Sequence, residues 1–541
     1  MRIFDIFPEK IFQKSLTFRK EININKNIFA LAAAGIIAQS ASAYEYSHTT
    51  TGESTETFPS FDLSTASIAS GEDVTINYTV AKTMSGETEI STPANNKTFL
   101  KISDAATFGN FVYNLNVETA KLWQENFFRS DKALTVDSFT LNLVSCKTWH
   151  PYNNLSLGSS LTVKNDFLFQ DYRDWQYSRL QFGGTAVNIG GNLIVSGKDG
   201  ANTFNNVELQ LGDSSVFNVG GVVDIRTIST TENMRAVYFG LGSSHTKSVN
   251  RTFGGLNIAN MYNKTKMELL YLNSADGGLT NLTLTNADKS EFVGALTTRI
   301  KYDSKAGTYG DMIDNKLDIT MAATNPLAGR QIFRFTDVGE NYDTNDSSWT
   351  GYRMTNAKTA LRNIVVKSGR LEISMYEGMV AESLSLEGEY GAFSAAGATT
   401  DNNVGDANFN SISYTSGALY FDFAKIDNDI DADYINVNGK FTSNSADKVI
   451  FGLNITAQDL ETWGYGAIEI DIMSYVTDGS ITADDIQLVL RDDTLRAKLN
   501  SIQENGKTIL SVNVAAVPEP ATVAAILGAA ALAFAAIRRR K

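Results

Sequence analysis

One spacing constrains this chain more than any other feature. A pattern of apolar-x-apolar-x-Gly-x-apolar-x-apolar recurs as Val187, Ile189, Gly191, Leu193, Val195 and as Phe217, Val219, Gly221, Val223, Ile225. A copy with Asn at the centre is Leu161, Val163, Asn165, Phe167, Phe169. Successive copies begin at 161, 187 and 217, which is 26 and then 30 residues apart. Alternation of period two places the named side chains on one face of a strand. A repeat of that length is the size of one coil of a β-solenoid, whose apolar face is covered only when neighbouring coils stack. The central glycine marks a bend or a close backbone approach. Shorter copies occur at Leu384, Leu386, Gly388, Tyr390 and at Ile435, Val437, Gly439, Phe441. The expected fold is therefore mainly β, an elongated parallel β-helix or β-solenoid. Tandem β-sandwich domains are the alternative that such alternation also permits.

The 541 residues exceed what one compact core serves, which also favours a repeat fold or several domains. A single cysteine, Cys146, excludes an intramolecular disulfide and any cysteine-based metal cluster. Stability must come from packing and backbone ladders. The three histidines, His48, His150 and His245, match no metal-ligand spacing. No G-x-S-x-G elbow occurs, and Gly506-Lys507-Thr508 lacks the first glycine of a phosphate loop, Ser501 standing in its place. No catalytic residue, metal site or cofactor is therefore assigned, and the chain is read as a non-enzyme. Two acidic segments, 337–346 and 427–433, are open to calcium or to plain solvation. In the second, Asp427, Asp429, Asp431 and Asp433 alternate, but Ala432 and Asn438 stand where an EF-hand loop needs Gly and Glu.

The two ends carry targeting signals. Residues 1–27 are rich in Lys and Arg, Ile28–Ala38 is apolar, and Ala41 and Ala43 occupy the small-residue positions of a secretory cleavage site. Cleavage after Ala43 by signal peptidase leaves Tyr44 first. At the other end Pro518-Glu519-Pro520 precedes seventeen uncharged residues, 521–537, and then Arg538, Arg539, Arg540 and Lys541. At ~1.5 Å per residue those seventeen give a helix at the lower limit for a bilayer. Nine of them are alanine, so the segment suits transient residence better than permanent anchoring. The four cations hold the end in the cytoplasm, so the body faces outward. Without residues 1–43 and 518–541 the body keeps 36 basic and 56 acidic side chains, near −20, which argues against nucleic acid as a partner.

The tripeptide, the apolar helix and the terminal Arg cluster, in that order, resemble the PEP-CTERM sorting signal. The resemblance covers the last 24 residues. It implies processing by an exosortase-like membrane enzyme, with the membrane as a partner before cleavage. It also implies a surface or extracellular-matrix destination and exopolysaccharide as a companion. A simple tail anchor is the competing reading. A second resemblance is to autotransporter passenger β-helices, at Val366–Ile373 and Asp433–Phe441, with Ile470–Met473 and Leu510–Val512 fitting the same terminal region. No outer-membrane barrel follows; the sorting tail stands in that place.

The expected organisation is a signal peptide over 1–43 and an N-terminal capping β region over 44–150, with a short helix near Val117–Phe128. β-Solenoid repeats follow over 151–300, a passenger-like β region over 301–517, and the sorting tail over 518–541. The expected function is an exported structural or adhesive surface protein. The alternatives are a secreted β-helix carbohydrate-active enzyme, which needs a cleft with paired carboxylates, and a ligand- or ice-binding module, which needs a flat, regular threonine array.

Overall fold

The computed structural model describes residues 43–517 apart from segments at 52–60, 82–83, 86–87, 90–97, 119–125, 147–151, 172–177, 185, 198–205, 213, 227–235, 244–245, 259–264, 270–276, 304–307, 338–351 and 398–403. The chain divides into two compact units, Met1–Tyr44 and Glu45–Lys541. Ala43 and Tyr44 are the described residues of the first, and every strand from Val74 onward belongs to the second.

The second unit is mainly β and is dominated by one large parallel sheet, an arrangement consistent with a β-helix. Each coil adds strands to ladders already begun by the coil before it. On the first face Leu134 stands opposite Leu161, Val187 and Phe217 on three successive coils. A few residues on, Phe139, Phe167, Leu193 and Val223 align in the same way. The repeat spacing of 26 and 30 residues is thus the register offset itself. All eight side chains are essentially inaccessible, and burying each contributes ~1.5–3 kcal/mol. A second face runs through Asn126–Ser130, Tyr152–Leu157, Ser178–Gly183, Asn206–Gln210, Ala236–Gly240 and Thr265–Glu268, each parallel to the next. Its inward residues meet those of the first face. Phe139 lies between Phe111 at 5.0 Å and Phe167 at 4.8 Å, with Phe128 of the second face edge-on at 5.6 Å.

The central Asn165, Gly191 and Gly221 stack in register between the two runs of the first face. Gly191 N–H donates to the Asn165 carbonyl at 2.9 Å, and Gly221 N–H to that of Gly191 at 2.8 Å. A Cβ on Gly221 would lie 2.9 Å from the Gly191 carbonyl carbon, so backbone meets backbone there. The adjacent side chains continue the ladder. Asp166 Oδ1 accepts from Asn192 N–H at 2.6 Å, and Asn192 Oδ1 accepts from Val222 N–H at 2.9 Å.

Parallel pairing passes residue 150 on the second face, where Leu155 pairs with Phe128, and residue 300 on the first, where Leu279–Leu284 pairs with Lys316–Ala322. On the second face, among the described strands, it stops at Thr297, beyond which Lys289–Asp303 pairs antiparallel with Tyr352–Asn356 and Thr308–Met312. Described strands of the region before 150, expected as a cap, join the same parallel ladders. Val74–Ala81 pairs in parallel with Ala106–Val117, and that strand with Leu134–Cys146. The helix expected near Val117–Phe128 is replaced at both ends. Val117 closes one strand and Asn126–Ser130 forms another, while 119–125 lies outside the described residues. At these two ends cross-coil pairing sets the conformation. Sandwich domains would be antiparallel. Antiparallel additions to the large sheet are local, at Thr308–Met312, Tyr352–Asn356 and Asp429–Ala432.

The ladder ends at Ile486–Leu490. A second sheet of five strands begins with Asp406–Phe409 and Tyr434–Val437 in parallel. It finishes with Ala467–Val476, Lys507–Ala516 and Leu495–Glu504, the last two forming an antiparallel hairpin. Asn505 and Gly506, at φ 51° and 77°, make its turn, so the Gly506-Lys507-Thr508 segment is a hairpin end. The α-helix among the described residues is Ala457–Trp463. Thr456 and Asp459 cap its start reciprocally, and Gly464 ends it in the left-handed conformation. No described helix is long and apolar enough to cross a membrane; residues 521–537 lie outside the described residues.

Candidate functional site

Outward side chains stack in register just as inward ones do. One column begins Thr107, Thr135, Thr162, Asn188, Asn218 and Thr252. It continues through Thr283, Thr320, Val365, Ser385, Ser413 and Thr442. Eleven of the twelve are short hydroxyl or amide side chains, and they recur at the ~4.8 Å strand spacing. Sequence reading found no regular threonine array, because the coils between these positions differ in length. The residues two positions earlier on the strands form a parallel row. There Asn281 Nδ2 donates to Asn250 Oδ1 at 3.1 Å, Asn363 Nδ2 to Asp318 Oδ2 at 3.4 Å, and Ser383 Oγ to Asn363 Oδ1 at 3.0 Å.

Where these rows run together the surface is concave. A groove of about 300 Å³ is lined by Asn281, Thr283, Asp318, Thr320, Asn363, Val365, Ser383 and Ser385, with Leu282 beneath. It crosses four strands: Leu279–Leu284, Lys316–Ala322, Leu361–Ser374 and Ser383–Ala395. Asp318 is its one lining carboxylate. Arg362 grips it with two bonds, 2.9 Å from Nε and 2.6 Å from Nη2. Burial by itself would raise the Asp318 pKa, but the hydrogen bonds from Arg362 and Asn363 together outweigh it and hold the carboxyl below its usual range. Its role is a fixed, neutralised acceptor. Acid–base glycoside cleavage requires two carboxyls roughly 5–10 Å apart, and the groove lining supplies one.

A second cluster is buried. Glu372 lies between Arg330, which donates from Nη2 at 2.6 Å, and Arg370, whose Nε is 2.7 Å away. Arg370 Nη2 also reaches Asp422 at 2.7 Å, and its guanidinium lies 5.2 Å from the centre of the Tyr420 ring. Asp422 accepts further from Asn454. Asp433, fully buried, accepts from the backbone N–H groups of Asp422 at 3.0 Å and Gly405 at 3.1 Å. Burial, and then the adjacent Asp422 charge, push its carboxyl well above the usual range. Two arginines thus face three carboxyls where the large sheet gives way to the second sheet. This is a structural junction. Its residues are tied to one another.

The acidic run is divided by this junction. Asp427, Asp429 and Asp431 are exposed on a hairpin whose turn holds Asp427 at φ 54°, whereas Asp433 is buried and engaged. The four carboxylates do not converge, and no described group of His, Cys, Asp or Glu is arranged to hold a metal. In the other acidic segment Asp337 accepts from Asn356 at 2.5 Å, and 338–346 lies outside the described residues. His48 stacks on Tyr46 and hydrogen-bonds to it at 3.3 Å; His150 and His245 lie outside the described residues. Cys146 closes the strand Leu134–Cys146. Ala43 is exposed at the start of the described chain. Ala41, Pro518, Glu519, Pro520, Arg538, Arg539, Arg540 and Lys541 lie outside it.

Sequence reading missed Arg251, which occupies an apolar position of the alternation opposite Phe217. It is fully buried and donates to the carbonyls of Leu241, Ser214 and Gly212 at 2.9, 2.7 and 3.2 Å, so it ties together backbone that strands leave unpaired.

No protein-family model matches the chain, and a search of curated proteins finds no match.

Proposed function

We propose that this chain is an exported structural or adhesive protein of the cell surface or extracellular matrix. Its N-terminal segment directs secretion and is removed after Ala43. Its C-terminal tail, Pro518-Glu519-Pro520 with a membrane helix over 521–537 and the Arg538–Lys541 cluster, holds it until an exosortase-like enzyme cuts. The body between is a parallel β-helix of passenger type. The observation that carries this reading is the coincidence of two independent boundaries. The first described strand opens at Tyr44, the residue after the A-x-A site, and the last closes at Ala516, two residues before Pro518. The parts with targeting chemistry therefore flank the described strands and do not interrupt them.

Terminal-peptide mass spectrometry on protein from fractionated cells tests this. The expected result is a chain beginning at Tyr44, ending within Pro518–Pro520 and recovered from the surface or medium. An intact Arg-Arg-Arg-Lys end in the inner membrane would show a simple anchor and sink the sorting reading.

A further inference from the structure

We infer that the groove on the first face binds a neutral, extended polysaccharide. This deepens the proposed export and rests on it for biological meaning, but not for its test. The groove floor presents what sugar hydroxyls pair with, planar amides at Asn281 and Asn363 and hydroxyls at Thr283 and Thr320, while Asp318, whose two oxygens are taken by Arg362 and Asn363, braces that floor. The two threonine hydroxyls make no hydrogen bond to a described residue, so each faces the open groove with its donor and acceptor available. Asn363 and Asp318 are already held in place by each other and by Arg362, so their orientation is set before a ligand arrives. Such pre-organisation lowers the ordering cost of binding.

Charge selects against an acidic ligand. The lone carboxylate is neutralised by Arg362, no other cation lines the groove, and the body around it carries a strong negative excess. An anionic polymer would be repelled, and a nucleic acid likewise. A small apolar ligand finds only Leu282 and Val365. The form fits a chain: the groove is open, and it crosses four strands at ~4.8 Å steps, each step close to the advance of one hexose in an extended glycan. Polar rows continue above and below it, so a longer chain can leave at both ends without meeting a wall of bulky side chains.

The experiment is titration of the purified protein with neutral hexose oligomers of increasing length (cello-, laminari-, malto- and manno-series), beside alginate as an acidic control. One neutral series should bind saturably, with affinity rising to about four units and then levelling. The double variant Thr283→Val, Thr320→Val changes two outward positions and keeps their shape. It should weaken binding at least tenfold while its melting curve stays that of the wild type. Asn281→Asp, which adds an unpaired charge, should weaken it as well. Absence of saturable binding by every neutral series overturns the inference. So does an unchanged affinity in the double variant, or preferential binding of alginate. None of these outcomes depends on where the protein resides, so a failed sorting experiment and a failed groove are told apart.

Discussion

Replacing Arg370 with methionine removes the cation that Glu372 and Asp422 share while leaving the aliphatic stem to pack. Both carboxylates are nearly inaccessible, and Asp433 sits fully buried beside Asp422. Breaking a buried ion pair from one side costs ~3–5 kcal/mol. Arg370 is partly exposed, Glu372 keeps Arg330 and Asp422 keeps Asn454, which points to the lower end, about 3 kcal/mol. That is roughly a hundredfold in the opening equilibrium of the surrounding strands. The pH dependence has a definite sign. Burial, and then Asp422, raise the Asp433 carboxyl above its unfolded value, so its contribution is complete in acid and is lost as pH rises through the folded value. Arg370 opposes that rise. Without it the Asp433 carboxyl holds its proton to higher pH, and the penalty grows as pH rises. Native-state hydrogen exchange at the amides of Leu371, Phe393 and Leu419, corrected for intrinsic rates, reads the local opening at about pH 5 and about pH 7.5. A loss below about 1 kcal/mol near neutrality, or an equal loss at both pH values, would refute the charge argument.

Two further substitutions probe the stack. Phe139→Ala empties the centre of the Phe111–Phe139–Phe167 column and should cost ~3–5 kcal/mol; because coils contact mainly their neighbours, exchange should quicken at Phe111 and Phe167 and stay unchanged at Phe451. Gly452→Ala places a Cβ 2.4 Å from Cε1 of Tyr420, displacing the ring that lies under Arg370. The expected cost is ~1–3 kcal/mol in a thermal melt, recovered in large part when Tyr420→Leu is added.

What the sequence reveals depends on how far apart the deciding residues lie. The Val187 and Phe217 repeats are legible because period-two alternation is local and the coil length there is nearly constant. Tyr390 shows the limit. Alternation puts it on the apolar face with Leu384 and Leu386, yet it is 43% exposed, because the strand slips in register between Glu387 and Ala392. Gly388 and Gly391 lie inside that slip, and a glycine pair was the local sign of it. Two short-range signals were present and unread: Thr456 and Asp459 as reciprocal caps, and Asn505-Gly506 as a hairpin turn. Arg251 lay beyond reach, since its partners are carbonyls of two separate loops.

The groove was illegible for a related reason, and the same reason gives it meaning. Its residues come from positions 281–283, 318–320, 363–365 and 383–385, with steps of 37, 45 and 20 between the core residues Leu282, Ile319, Ile364 and Leu384. No fixed period finds them; only the ladder does. Solubility alone does not account for what the ladder assembles. An outward column needed only to stay wet admits Lys and Glu, which also guard sheets against unwanted pairing. From Thr107 to Thr442 neither occurs at any of the twelve positions, and apart from Val365 each carries a short side chain able both to donate and to accept. Long charged side chains would sweep over the neighbouring strands and fill the groove. Their absence keeps a row of paired donors and acceptors level with the sheet, at a spacing set by the backbone, which is the condition for a surface to meet a repeating polar chain along its length.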